Sequence, residues 1–158
     1  MTYNSRINYW KLLLTVIAVE ALGFASSILS GNVRDSYNEL TLPPLSPPGP
    51  VFGIVWPILY LFVGVAGYLI WINRDYSPTA TWLFFIQLAL NFSWTIVFFN
   101  FSMLWLGVII ILVMDIIVIV IIIKLGPGQL ALSKWLLTPY LIWILFATYL
   151  AISVALFN

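Results

Sequence analysis

The 158-residue sequence contains no cysteine and no histidine. Without thiols there are no disulfides and no thiolate nucleophile. Without imidazole the commonest general base is gone, and with both missing so are the usual ligands of zinc and haem iron. Most hydrolase chemistry is excluded on these grounds. Charge is almost as scarce, at 7% of residues against about 25% in soluble domains. The net charge of +1 provides no electrostatic footprint for nucleic acid. What remains is apolar: 63% of residues are hydrophobic and 17% aromatic, with eight Trp and eight Tyr. A soluble fold of this length keeps too much surface in water to hide such a composition. A lipid bilayer accepts it, and the length suits one compact domain.

Five apolar segments emerge, over about residues 10–28, 51–72, 79–101, 104–123 and 134–157. Each is near the roughly 20 residues that carry a helix across about 30 Å of hydrocarbon. The expected fold class is therefore all-α, an integral membrane bundle of five transmembrane helices forming a single domain. The first segment also has the look of a signal peptide, with Arg6 and Lys11 ahead of it and Ala25-Ser26-Ser27 near its end. Glu20 in its middle favours a span, since a signal core is apolar. Segments two to five are joined by short connections, which predicts antiparallel neighbours.

Residues 30–50 form a longer connection with five prolines between Pro43 and Pro50. That density of proline excludes helix or sheet interior and predicts a stiff, extended loop. Its length is that of a lid rather than a simple connection. With alternating spans, Arg6, Lys11, Arg74, Lys124 and Lys134 fall on one side of the membrane, and Arg34 alone on the other. The basic bias predicts a multi-pass cell-membrane protein with a cytoplasmic N-terminus and with the proline-rich loop and C-terminus outside.

Polar groups at membrane depth need inward-facing partners. A carboxylate there costs at least about 2.5 kcal/mol, so Glu20 and Asp115 face the bundle or a wet cavity. Each is either a ligand contact or proton carrier, or a protonated acid bonded to a neighbouring helix. Gln87, Asn91 and Trp94 share one helix face by their i, i+4, i+7 spacing. They act as interhelical glue, as a cavity wall, or as both. Phe52, Trp56, Tyr60 and Gly64 make a four-residue stripe leading inward from the proline loop, and Tyr140, Trp143 and Ala147 make another. Packing core would account for any one of these rings; together they point to an aromatic pocket. Small residues recur at four-residue spacing at Ala147, Ala151 and Ala155 and at Ala89 and Ser93, and one such face is a possible subunit interface.

Three runs carry a family resemblance. The first is Pro47-Pro48 with Val51-Phe52-Gly53-Ile54-Val55-Trp56-Pro57-Ile58-Leu59-Tyr60, then Gly64 and Ala66. The second is Gln87-Leu88-Ala89-Leu90-Asn91-Phe92-Ser93-Trp94 followed by Phe98-Phe99. The third is Pro139-Tyr140-Leu141-Ile142-Trp143 with Phe146-Ala147. In this order the sequence resembles the tryptophan-rich sensory protein/translocator protein family, whose mammalian member was called the peripheral benzodiazepine receptor. The resemblance implies a five-helix bundle, usually a homodimer, whose first long loop caps a pocket. It implies binding of porphyrins, especially protoporphyrin IX, and of synthetic isoquinoline carboxamides. It further implies light- and oxygen-dependent breakdown of protoporphyrin, with Trp56 and Trp143 matching the tryptophans linked to that chemistry. Tyr37, Pro47, Phe52, Asn91, Phe98 and Ala147 would line the pocket or its lid, joining Tyr60 from the first stripe and Trp94 from the shared face with Gln87 and Asn91.

The sequence departs from the family pattern in places. Pro57 follows Trp56 where Thr is common, Ala151 stands where Asn is usual, and no Lys or Arg follows Tyr149, as a mammalian-type sterol motif would need. The residues themselves are compatible with a metal-free flat macrocycle. It would enter as ligand or substrate, with no cofactor or metal required, against aromatic faces and with Arg34 as the one basic group on the lid side. Carriage of tetrapyrroles, or ligand sensing without catalysis, are the alternatives; no inverted repeat or charged path marks a transporter.

Overall fold

The computed structural model describes residues 5–158. It is all-helical, with no strand among the described residues. Helix α1 spans Tyr9–Leu29, α2 Val33–Glu39, α3 Gly49–Ile72, α4 Pro78–Thr95, α5 Leu104–Lys124 and α6 Gln129–Phe157. A π-helical turn, Ile96–Asn100, prolongs α4. Five of these helices are long and apolar enough to cross a membrane.

Local chemistry sets the ends. Asn8 caps α1, its side-chain oxygen accepting from the Lys11 amide at 3.1 Å, which satisfies a donor the first turn would otherwise leave free. Pro50 and Pro78 sit in the first turns of α3 and α4, where a missing amide hydrogen costs nothing. The segment from Gly126 to Gly128 stops α5, and α6 starts at once with Gln129. That is earlier than the expected start at residue 134, because Gln129 and Ser133 interrupt the apolar pattern of a turn that is nevertheless helical. The loop differs in the same way. Instead of a wholly extended strap over residues 30–50, Asn32 caps the short α2, accepting from the Asp35 amide, and residues 40–48 after it are non-helical.

Around the bundle the order is α1, α3, α6, α5, α4, with α4 closing back on α1. Helix α3 packs chiefly on α1 and α6 and only sparingly on α4. Consecutive spans touch as expected, but α3 and α4 meet only along a narrow strip, with Trp71 on Phe85 and Gly67 against the Phe84 ring. The connection between Asn73 and Ser77 lets α4 step aside, and α6 takes the place against α3. Gly64 is what brings α1 in: a Cβ there would lie 2.9 Å from the Val16 Cα, so only hydrogen allows the two backbones this close.

Two apolar clusters fill the interior. The larger includes Val63, Ala66, Phe84, Val118, Leu137 and Ile144. The smaller lies towards the loop, with Phe98, Ile111, Ala147, Ala151 and Val154, and Leu40 and Leu42 of the loop pack onto it. The Ala147–Ala151–Ala155 stripe is thus buried within one chain rather than offered to a second subunit.

Candidate functional site: an aromatic cavity beneath the loop

A cavity of about 660 Å³ lies at the loop end of the bundle, enclosed by α1, α2, α3, α4 with its π-turn, and α6. Its size is within the roughly 300–1,000 Å³ that holds drug-sized ligands. Helix α5 is absent from the wall, because the smaller apolar cluster fills the space between it and α6.

Helix periodicity explains which side chains meet there. On α3, Phe52, Trp56 and Tyr60 fall on one face, and on α6 Trp143 and Ala147 do. The Trp56 and Trp143 rings meet edge to face with centroids 6.4 Å apart. Phe52 packs on Trp143 at 5.9 Å, and Tyr60 on Trp56 at 5.3 Å. These separations are those at which aromatic rings attract beyond simple burial. Trp143 lies 14 residues after Gln129, about four turns into α6 and deeper than the two turns expected from a start at residue 134.

The opposite wall is built by the π-turn. There the Phe101 amide reaches back to the Ile96 carbonyl at 3.1 Å. Phe98 falls four residues after Trp94, on the same helix face, and the two rings stack at 5.1 Å. Trp94 donates its indole N–H to the Gly107 carbonyl at 3.0 Å, which fixes the ring. A Cβ on Gly107 would stand 2.5 Å from the Phe98 ring, so α5 holds this wall through a glycine.

The loop forms the roof and is fastened at several points. Tyr37 donates to the Pro47 carbonyl and Tyr149 to the Pro44 carbonyl, both at 2.9 Å. The C-terminal Asn158 side chain accepts from the Thr41 amide at 2.9 Å and donates back to the Thr41 carbonyl at 3.2 Å. Tyr37 also packs on Phe52 at 5.3 Å. Partial burial pushes the Tyr37 phenol above its ordinary value, an effect the Ser46 hydroxyl partly offsets.

Among the residues expected at the site, Tyr37, Phe52, Trp56, Tyr60, Trp94, Phe98, Trp143 and Ala147 line this cavity. Pro47 and Asn91 do not. Pro47 contributes only its carbonyl, to Tyr37. Asn91 lies behind the wall: its Oδ1 accepts from Tyr60 and its Nδ2 donates to Tyr140, each at 2.9 Å. Tyr140 then donates to Gln87 Oε1 at 2.9 Å. The shared polar face of α4 therefore splits, Trp94 turning to the cavity while Gln87 and Asn91 tie α4 to α3 and α6. Asp115 has an interhelical partner as well, accepting from Thr148 on α6 at 2.7 Å.

Glu20, expected to face the bundle or a wet cavity, lies in the wall, and several other wall residues were not anticipated. Helix α1 contributes Glu20, Gly23, Phe24 and Ser27, whose i, i+3, i+4, i+7 spacing is the helical signal that marks them. Gly53 and Pro57 on α3 and Leu150, Ala151 and Val154 on α6 are further wall residues. Pro57, one of the departures, supplies no amide hydrogen to the Gly53 carbonyl, leaving a backbone acceptor in the wall. The polar groups are few and separated. Glu20 lies on α1, Arg34 on the roof, and neither has a charged or hydrogen-bonded partner among the described residues.

The sequence profile of the TspO/MBR family matches residues 14–156. The chain belongs to the TspO/MBR family. It is 38% identical over 156 residues to the tryptophan-rich protein TspO of Archaeoglobus fulgidus, covering 96% of this chain and 99% of that one. It is 30% identical over 138 residues to the protein of that name from Bacillus cereus, covering 87% and 90%. With the human translocator protein it shares 33% identity over 119 residues, 71% of this chain and 68% of the human one. Family and fold together make it a multi-pass membrane protein of the translocator or receptor-like kind.

Proposed function

We propose that the protein binds a porphyrin, protoporphyrin IX, in the aromatic cavity and promotes its light- and oxygen-dependent degradation. The observation that carries this reading is the pair of indoles, Trp56 and Trp143, edge to face in one cavity wall. A flat apolar macrocycle gains most from such faces, and Arg34 on the roof suits its propionates. In the light, the excited macrocycle passes its energy to oxygen or takes an electron from a neighbouring indole. Tyr60, in contact with Trp56, is the next ring in that line. Trp56 and Trp143 are thus the proposed catalytic residues, and the roof confines the reactive species. Isoquinoline carboxamides, also flat and aromatic, occupy the same space in this reading. The five basic residues at one end favour a cytoplasmic N-terminus, with loop and C-terminus outside. A homodimer uses the outward face of α4 at Ala89 and Ser93.

The test is a protoporphyrin titration of the purified protein in the dark, followed by illumination in air. Saturable quenching of tryptophan fluorescence and then a new product spectrum are expected. Trp143→Phe preserves dark binding and slows bleaching. Bleaching at the wild-type rate would remove Trp143 from the chemistry, and absence of saturable binding would remove the porphyrin.

Carriage without degradation is the second reading. The observation favouring it is Phe24, which lines the cavity yet is 70% exposed on the outer side of α1, so the cavity lies close to the lipid. Porphyrin flux into sealed vesicles in the dark, dependent on the protein, would support carriage; bleaching without flux would support degradation.

A further inference from the structure

A second hollow, of about 500 Å³, lies at the other end of the bundle, between the start of α1 and the end of α3. Arg6, Lys11 and Arg74 line it together with Tyr68 and Trp71. All three cations are exposed, and no carboxylate pairs with any of them among the described residues. We propose that this cleft binds the phosphate of an anionic phospholipid.

Three like charges do not gather in one cleft by default, and here the backbone is fastened so that they do. The Ser5 hydroxyl donates to the Ile72 carbonyl at 3.0 Å, and the Ser5 carbonyl accepts from Gln129 at 2.9 Å. Gln129 in turn accepts from Asn73 at 3.0 Å. The Asn8 amide donates to the Tyr68 hydroxyl at 2.7 Å. These bonds hold the chain carrying Arg6 beside the helix end carrying Arg74. Arg74 is itself held, its guanidinium 4.8 Å over the Trp71 ring and donating to the Trp71 carbonyl at 3.2 Å.

The helix dipole sharpens the argument. Arg6 and Lys11 flank the N-terminus of α1, which already carries partial positive charge and favours an anion. No acidic residue lies in the first turn. Two cations there oppose the dipole, and a bound anion relieves both conflicts at once.

Depth identifies where the anion comes from. Trp10 and Trp135, at the same end, are 73% and 76% exposed, as expected of aromatic residues that sit at headgroup level. Leu14 and Ile72 extend the cleft towards the apolar zone, giving the acyl chains a surface and the cations the phosphate. A basic recess at this level is the usual recognition chemistry for acidic lipids.

The experiment is native mass spectrometry of the full chain from detergent with equal phosphatidylglycerol and phosphatidylcholine. Retention of phosphatidylglycerol is expected. Each basic residue near a membrane surface is worth roughly fivefold in affinity, so Arg6→Gln/Lys11→Gln/Arg74→Gln lowers it on the order of a hundredfold, and Arg6→Gln alone about fivefold. Lys124→Gln/Lys134→Gln, at the same end but outside the cleft, leaves it unchanged. Glycerol phosphate at matched concentration does not displace the lipid. The proposal is overturned if the triple variant retains phosphatidylglycerol, if the control pair loses it equally, or if glycerol phosphate competes as well as the lipid.

Discussion

Replacing Asn91 with Leu tests how the cavity wall is held. The amide joins α4 to α3 through Tyr60 and to α6 through Tyr140, by two hydrogen bonds of 2.9 Å. Hydrogen bonds between membrane helices average roughly 0.6 kcal/mol and reach about 1.7. Losing two costs about 1–3 kcal/mol. The upper half of that range is expected because Asn91 is only 3% exposed. Tyr140 keeps its bond to Gln87, but Tyr60 loses the one hydrogen-bond partner its hydroxyl has among the described residues. Tyr60→Phe alone should therefore cost about 1 kcal/mol. The same change in the Asn91→Leu background should cost almost nothing, since the bond is already gone. Unfolding in mixed micelles of dodecyl maltoside and dodecyl sulfate, followed by circular dichroism, measures all four proteins. Simple additivity of the two single changes would refute the coupling, and an Asn91→Leu protein as stable as wild type would refute the network.

Three further outcomes follow from the geometry. Gly107→Ala drives a Cβ to 2.5 Å from Phe98; overpacking of about 1–3 kcal/mol exceeds the helix-propensity gain of about 1, so the melting temperature falls and cavity ligands bind more weakly. Tyr149→Phe removes one fastening of the roof, and hydrogen exchange over residues 40–48 should accelerate while the helices stay protected. The Tyr37 fastening depends on its neutral hydroxyl, whose pKa is raised from 10.0. Its contribution is complete below pH 10.0 and fades only as pH rises beyond the raised value, so roof exchange rates corrected for intrinsic chemistry should show no step below that pH.

How much of this was legible in the sequence depends on the kind of signal. The five spans were, because long apolar runs have one physical explanation. The start of α6 was not, because Gln129 and Ser133 are polar for interior reasons: Gln129 binds Ser5 and Asn73, and Ser133 is fully buried. Helix α2 carried its own mark in Asn32 and Asp35, which the prolines after it obscured. The aromatic stripes of α3 and α6 pointed to one hollow because periodicity fixes which residues share a face. Asn91 shows the limit of that reasoning. Periodicity puts it on an inward face, but only the tyrosines arriving from two other helices make it a tie rather than a wall. The neighbours of Glu20 on α1, Gly23, Phe24 and Ser27, were missed as a wall because the partner surface, the loop end of α3, could not be located before the packing order was known. The sparing contact of α3 with α4 was illegible for the same reason, since short connections constrain direction and leave adjacency open.

A structure determined with protoporphyrin bound in the dark tests the central claim most directly. The account predicts the macrocycle beneath Tyr37, in contact with the Trp56 and Trp143 indoles and with its propionates towards Arg34. Porphyrin found only on the lipid-facing surface, with the space between α1, α3, α4 and α6 empty, would contradict it.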